Sequence, residues 1–531
     1  MSHPAQAMNL AQLLRQTARL HPHRPALIQG ERQWRWAEID ARVDAMVNAL
    51  RQAGLSKGDR LLVHSRNNLQ LFESCWVAFR LGCVWVPTNF RLTPPEVAYL
   101  GASSGARAMI YESGFQAHVD AVRRACGALE KVVCIGAPRD DEVSYEALIE
   151  RFADQPAHEA EVLHDDPLWF FYTSGTTGKP KAGVLTHGQM NFVVTNHLAD
   201  LIPGTGESDC SIAVAPLSHG AGIHALLNVA RGAATVLLPG DKLDPEQVWQ
   251  LVAQHRVSNL FTVPTIVKML VEHPSVDRHD HSSLRYVIYA GAPMYRADQK
   301  LALQKLGKVL VQYYGLGEVT GCITVLPREM HSAQDDDPEA PIGTCGRPRT
   351  GMEVAVLDEN LRHVAAGAVG EICCRGPAVF AGYNGDAAAT EKAFRGGWFH
   401  TGDLGRMDER GLVYITGRES DMYISGGSNV YPREVEEVLL THPGVLEVAV
   451  LGVPHPKWGE VGVAVVVRRE GHAVETDALM MHLENRCARY RWPHRIFFWT
   501  SLPKSGYGKI TKKDVRRLLV EHGELEEVAT C

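Results

Sequence analysis

From about residue 60 to residue 310, short runs of Val, Ile and Leu alternate with stretches whose apolar residues recur at helical spacing. Few folds accept that rhythm. Parallel strands buried on both faces read as aliphatic runs, and each needs a helical crossover to reach the next. Strands are expected at 60–64, 168–173, 235–238, 259–263 and 285–289, and helices at 37–53, 245–255 and 296–305. From about 341 to 383 the pattern changes to glycine-spaced β segments such as 353–357 and 370–374, which predicts a smaller β-rich subdomain. A chain of 531 residues is too long for one ordinary core.

A second change of pattern falls at 417–421. After it come a helix at 432–440 begun by Pro432, strands at 446–453 and 462–467, and a helix near 477–490. A last helix follows the capping-box-like Thr511-x-x-Asp514. The expected fold class is α/β, with layered α/β subdomains and a β-rich subdomain in residues 1–417. A hinge at 418–421 leads to a small mobile α+β domain over 422–531. No internal repeat interrupts this plan, and Asp335–Asp337 mark an exposed acidic loop.

The 54 Lys and Arg against 61 Asp and Glu leave a net charge of −7, which gives nucleic acid or an anionic membrane no general attraction. An anionic substrate must therefore find a local positive site. Near the N-terminus, Leu10, Leu13, Leu14 and Leu20 are interrupted by Arg15 and Arg19. That pattern suits an amphipathic helix and is too polar for a signal peptide. No apolar stretch is long and uncharged enough to span a bilayer, so no stable membrane insertion is expected. The eleven cysteines form no CxxC pair, and Cys373-Cys374 suit opposite faces of a strand. Reduced structural thiols in the cytoplasm, without zinc, are the expectation.

The densest chemistry lies at Tyr172-Thr173-Ser174-Gly175-Thr176-Thr177-Gly178-Lys179-Pro180-Lys181. Glycines let backbone N–H groups approach phosphate, hydroxyls add donors, and lysines supply charge. Phe170 and Phe171 before the loop, and Val184 and Leu185 after it, pin it between structured elements. The spacing does not match GxxxxGK[ST], so this is a phosphate loop of another kind.

The segment resembles the phosphate-binding loop of the adenylate-forming superfamily, which includes acyl-CoA synthetases, peptide-synthetase adenylation domains and firefly-type luciferases. Further motifs follow in that family's order over nearly the whole chain. The resemblance implies that Thr173, Ser174, Gly175, Thr176, Thr177, Gly178 and Lys179 bind the phosphates of ATP. His219, in Pro216-Leu217-Ser218-His219-Gly220, resembles a residue near the acyl pocket and the reacting carboxylate. Gly291-Ala292-Pro293 resembles the adenine-contacting turn. In Tyr313-Tyr314-Gly315-Leu316-Gly317-Glu318, Tyr314 would stack on adenine, and Glu318, with Thr176, would hold Mg²⁺. Gly317 stands where the family usually has Thr or Ser. Asp403 in Thr401-Gly402-Asp403, together with Arg418, resembles the ribose-binding pair. Ser420 occupies the hinge position, Gly426-Gly427 resemble part of the pantetheine tunnel, and Lys509 resembles the terminal catalytic lysine.

Together these imply a two-step ligase that converts a small carboxylic acid, ATP and coenzyme A into acyl-CoA, AMP and pyrophosphate. Lys509, Glu318 and His219 would form the catalytic set, and His219, Gly291, Gly315 and Leu316 the acyl pocket. The family pattern suggests a homodimer. A fatty acid and an aryl or aryl-alkenoic acid both fit, whereas no acidic group is placed to hold the amine of an amino acid. Three alternatives remain open: loading of a carrier-protein pantetheine, luciferase-type oxidation, and a non-catalytic acyl- or nucleotide-binding protein.

Overall fold

The computed structural model describes residues 6–525 except 174–178, 241, 293, 419, 427, 485 and 505–509. Among the described residues, two large parallel-rich sheets build the first part of the chain. One runs in the order Lys181–Thr186, Pro167–Thr173, Val84–Thr88, Arg60–His64, Ala108–Glu112, Lys131–Ile135 and Val143–Ser144. Its pairings are parallel except the first, an antiparallel hairpin in which Thr173 faces Lys181.

The other large sheet has its parallel centre at Leu310–Tyr314, Tyr286–Tyr289, Asn259–Thr262, Cys210–Ala213, Ala234–Leu237 and Pro25–Gln29. Antiparallel strands close both of its edges. The aliphatic runs are fully buried, as at Cys210–Ala213 and Tyr286–Tyr289, because helices cover both faces. Several expected elements coincide with observed ones, including Arg60–His64 and the helix Pro245–His255.

The β-rich unit is larger than the sequence suggests. Besides Glu353–Leu357 and Val369–Arg375, it includes Trp398–Met407 and Val413–Arg418, all paired antiparallel. These last strands carry polar and glycine residues that hide the period-2 signal. Cys373 and Cys374 do lie on opposite faces, one beside Trp398 and the other in the main core. The ten described cysteines are all unpaired.

A new sheet begins at Tyr423–Ser425 and has its own cores, built on Val445–His455, Gly459–Arg468 and Arg495–Trp499. The helix Pro432–Leu440 matches expectation. The one expected at 477–490 is shorter. It spans Thr476–Leu483, and Glu484 turns extended with φ −60° and ψ 133°. One short 3-10 turn follows at Arg489–Arg491, and Pro493 keeps Trp492 extended directly after it, with φ −63° and ψ 137°. Between the large and small units, Arg469 and Glu272 pair at 3.7 Å, both well exposed. Such a pair contributes under about 1 kcal/mol. Among the described residues, no helix is long and apolar enough to cross a membrane.

The large unit buries several neutral histidines, which couples its stability to pH. Burial pushes His187 and His331 down to about 4, and His64 and His224 down to about 3. Their folded values lie below the unfolded value near 6.5, so unfolding takes up protons between pH 6.5 and about 4. The stability these histidines contribute is therefore complete above pH 6.5 and falls as pH drops, by about 1.4 kcal/mol per pH unit for each, and together they outweigh the opposite effect of the single buried Glu73, pushed up to about 7. Urea unfolding at pH 7.0 and 5.0 will give the lower stability at pH 5.0, and equal stability would contradict this account.

Candidate active site

Two strands of different sheets and a loop of the β-rich unit converge on Glu318. The carboxylate sits in a 3-10 turn, Gly317–Val319, directly after the strand Leu310–Tyr314, and only 5% of the residue is exposed. A carboxylate so buried must be matched by donors. Thr173 Oγ1, at the end of the strand that leads into the Thr/Gly loop, donates to Oε1 at 2.9 Å. The Tyr383 hydroxyl donates to the same oxygen at 2.9 Å, and the Phe380 N–H donates to the Glu318 carbonyl at 2.8 Å. Among the described residues, both side-chain bonds fall on Oε1. Burial and the nearby Glu318 charge push the Tyr383 phenol far above its ordinary range, so it stays a donor.

Tyr383 was missed in the sequence. It follows Gly382 in a segment that pairs with the hairpin strand: Val184 N–H donates to Gly382 O at 2.9 Å, and Ala381 N–H to Val184 O at 3.0 Å. Its neighbours carried no motif, and only the chain's return past the hairpin brings it to Glu318. Lys181 of the same hairpin pairs with Asp386 at 3.2 Å. Lys179 instead lies over the Tyr99 ring at 5.7 Å. Ser174, Gly175, Thr176, Thr177 and Gly178 lie outside the described residues, as do Pro293, Gly427 and Lys509.

A second cluster surrounds Asp403, which is 6% exposed. The Tyr314 hydroxyl donates to Oδ2 at 2.7 Å, and Arg418 Nε lies 3.2 Å from Oδ1. Arg418 and Asp403 are register partners on neighbouring strands, so the β-rich sheet itself sets their pairing. Burial and the Asp403 carboxylate hold the Tyr314 phenol protonated. The turn before Asp403 is braced from behind. Gly402 takes φ +71°, a conformation that favours glycine, and its N–H donates to Glu371 Oε1 at 3.0 Å. Thr401 Oγ1 donates to Ile372 O at 2.6 Å and accepts from the Asp403 N–H at 3.0 Å.

Glu371 also meets His400 Nδ1 at 2.7 Å. Together with Cys373, their ligand atoms lie within 4.8 Å of one another, and Arg395 enters the same cluster at 3.1 Å from His400 Nδ1. Sequence spacing could not show this group, because Cys373 and His400 meet only through strand register.

His219 caps the helix Gly220–Arg231, and its ring lies 4.3 Å from that of Phe171 with planes inclined by 32°. Behind it, His224 is stacked on Phe261 at 4.3 Å and 9°, and Phe261 lies nearly parallel to Tyr313 at 5.8 Å and 12°. Leu316 and Gly315 precede the Glu318 turn, while Gly291, with φ +83°, ends the neighbouring strand Tyr286–Tyr289. In the small unit, Gly426 lies against Trp458. Ser420 is exposed in the segment between sheets. Tyr314, Asp403 and Arg418 thus meet, as do Thr173 and Glu318, although 145 residues separate the latter pair.

The sequence matches the family described as AMP-binding enzyme over residues 14–384, and the AMP-binding enzyme C-terminal domain over residues 434–509. A feruloyl-CoA synthase from Amycolatopsis sp is 36% identical over 502 residues, covering 94% of this chain and 97% of the relative. An indoleacetate–CoA ligase from Aromatoleum aromaticum is 32% identical, covering 98% of this chain and all of the relative. Among solved structures, the amide bond synthetase McbA from Marinactinospora thermotolerans superposes with a TM-score of 0.86. It is 27% identical, with 96% of this chain and 99% of that one covered. The chain belongs to the AMP-binding enzyme family, the adenylate-forming enzymes, and both of that family's domains match within it.

Proposed function

We propose that this enzyme is an AMP-forming acid–CoA ligase that activates an aryl, aryl-alkenoic or fatty acid. The observation that carries the reading is the convergence on Glu318 and Asp403 of residues from the Thr/Gly hairpin, the turn after Tyr314 and the strand ending at Arg418. Tyr314, which bonds Asp403, and Glu318, which accepts from Thr173, lie four residues apart, and this closeness supports reading the two clusters as one site. The feruloyl and indoleacetate ligases among its relatives support a flat aromatic acid. Unpaired cysteines support a reducing compartment, the cytosol.

In the first step, a carboxylate oxygen of the acid attacks the α-phosphorus of ATP. The bond from that phosphorus to the bridging oxygen breaks, and pyrophosphate leaves with the electron pair. Lys509 and the Thr/Gly loop stabilise charge on the oxygens. Asp403 and Arg418 hold the ribose, Tyr314 and the turn Gly291-Ala292-Pro293 hold adenine, and His219 lies beside the reacting carboxylate. Glu318 suits a hard cation, with one carboxylate oxygen tied to two hydroxyls and the other free of hydrogen bonds among the described residues. Glu318 and Thr176 would hold Mg²⁺, which neutralises phosphate charge when bound.

In the second step, the thiolate of CoA attacks the acyl carbon, the mixed-anhydride C–O bond breaks, and AMP leaves. The small domain turns about Ser420 between the steps, withdrawing Lys509 and presenting Gly426 and Gly427 to the pantetheine arm. The exposed pair Arg469–Glu272 is weak enough to break in such a turn.

Two substitutions test these roles. Lys509→Ala will lower acid-dependent ATP–pyrophosphate exchange by about a hundredfold or more while leaving thioester formation from supplied acyl-adenylate near the parent rate. Equal loss in both steps would contradict the assignment. Glu318→Gln keeps the shape of the turn but removes the charge, and it will lower exchange by about a hundredfold with little change in melting temperature. Parent-like exchange would remove Glu318 from the mechanism. A graded acid panel, with CoA, a phosphopantetheinylated carrier and an amine compared as acceptors, fixes both substrates. Preference for an acceptor other than CoA would overturn the ligase reading.

A further inference from the structure

Gly317 opens the turn that carries Glu318, and its lack of a side chain has a specific cause. A Cβ there would lie 2.7 Å from both Cδ1 and Cε1 of Phe171 and 2.8 Å from the Thr173 methyl. Real Cβ atoms do not approach that closely, and the ring cannot easily retreat. Phe171 is 4% exposed, lies in a buried strand, and sits with its ring centroid 5.5 Å from that of Trp169 and 4.3 Å from that of His219. Gly317 does not use a left-handed backbone, so close packing rather than conformation requires glycine. A side chain at 317 and the present ring position at 171 are mutually exclusive.

The consequence falls on His219. Its backbone caps a helix, and its imidazole plane depends in part on the surface that packs against the ring. Phe171 supplies that surface at 4.3 Å, tilted by 32°. Aromatic pairs at such offsets hold one another in preferred orientations. We propose that Phe171 is a positioning residue, fixing the imidazole plane of His219 at the acyl end of the adenylate, and that Gly317 is glycine because it makes room for that ring. The inference rests on the reading of His219 as the residue beside the reacting carboxylate. On this account the chain gives up the Thr or Ser hydroxyl usual at 317 and gains an aromatic wall beside His219.

The two positions should behave as one unit. Gly317→Ala, Phe171→Val and the double variant are compared in acid-dependent ATP–pyrophosphate exchange, with KM measured separately for acid and ATP. Valine lacks both colliding ring atoms, and the vacated space lets the Thr173 methyl shift. Gly317→Ala alone will lower kcat for exchange about tenfold or more, because the ring is driven against His219. Phe171→Val will lower kcat severalfold and raise KM for the acid, with KM for ATP held within about twofold. The double variant will stay within about threefold of Phe171→Val instead of multiplying the two losses.

A harmless Gly317→Ala, multiplied losses in the double variant, or an equal rise in both KM values would overturn the proposal. If Phe171→Val does not fold, Phe171→Leu, which fills the strand position without a ring face, replaces it in the KM comparison, and Gly317→Ala alone remains decisive. His219→Ala separates the two levels of inference. If it leaves exchange unchanged, the reading of His219 fails; if it removes exchange while the Phe171 and Gly317 variants are harmless, only the positioning role fails.

Discussion

The site depends on the pairing of one buried carboxylate with two hydroxyls. Glu318 is nearly inaccessible, and Thr173 and Tyr383 both donate to a single oxygen of it. An unmatched buried charge is costly, so each donor must be delivered by an element that cannot drift. Thr173 comes from the antiparallel hairpin at one edge of the first sheet, Glu318 from the turn after a strand of the second, and Tyr383 from a loop within the β-rich unit, between Val369–Arg375 and Trp398–Met407. That carboxylate therefore ties together three structural units. The Asp403 cluster is fixed differently, by strand register with Arg418 and by a braced glycine turn.

This division suits a reaction with two chemistries. The groups proposed to grip ATP, Glu318, Tyr314, Asp403 and Arg418, are rooted in sheets of the large unit, where packing keeps them in register. In the proposed mechanism the part that changes between steps is the small unit that carries Gly426, which has its own cores and so need not unpack the larger ones to turn. Arg418 ends the last strand of the β-rich sheet, and Tyr423 begins the next sheet. Ser420, the proposed pivot, is exposed between them.

Much of the fold was legible because buried parallel strands write themselves as aliphatic runs, as at Arg60–His64 and Asn259–Thr262. The strands Trp398–Met407 and Val413–Arg418 were not read as part of the β-rich unit, since glycine and polar residues such as Thr401, Gly402, Asp403 and Gly417 interrupt their apolar pattern. Within the candidate site, the residues that a distinctive motif singles out, Glu318, Asp403, Arg418 and Thr173, are ones the structure pairs, Thr173 with Glu318 and Asp403 with Arg418. Tyr383, Glu371 and His400 were not legible, because each acts through a partner far away in sequence that only strand pairing brings near. Gly317 was visible as a departure from the usual residue, but its reason lay in the Phe171 ring, 146 positions earlier.

The central claim is that the acid's own oxygen attacks the α-phosphorus of ATP. Its most direct test uses acid labelled with ¹⁸O in both carboxylate oxygens, turned over with ATP and CoA, with AMP and pyrophosphate analysed by mass. An acyl-adenylate route transfers one ¹⁸O from each acid molecule to the phosphate of AMP and none to pyrophosphate. Label in a terminal-phosphate product, or unlabelled AMP alongside acyl-CoA, would contradict it.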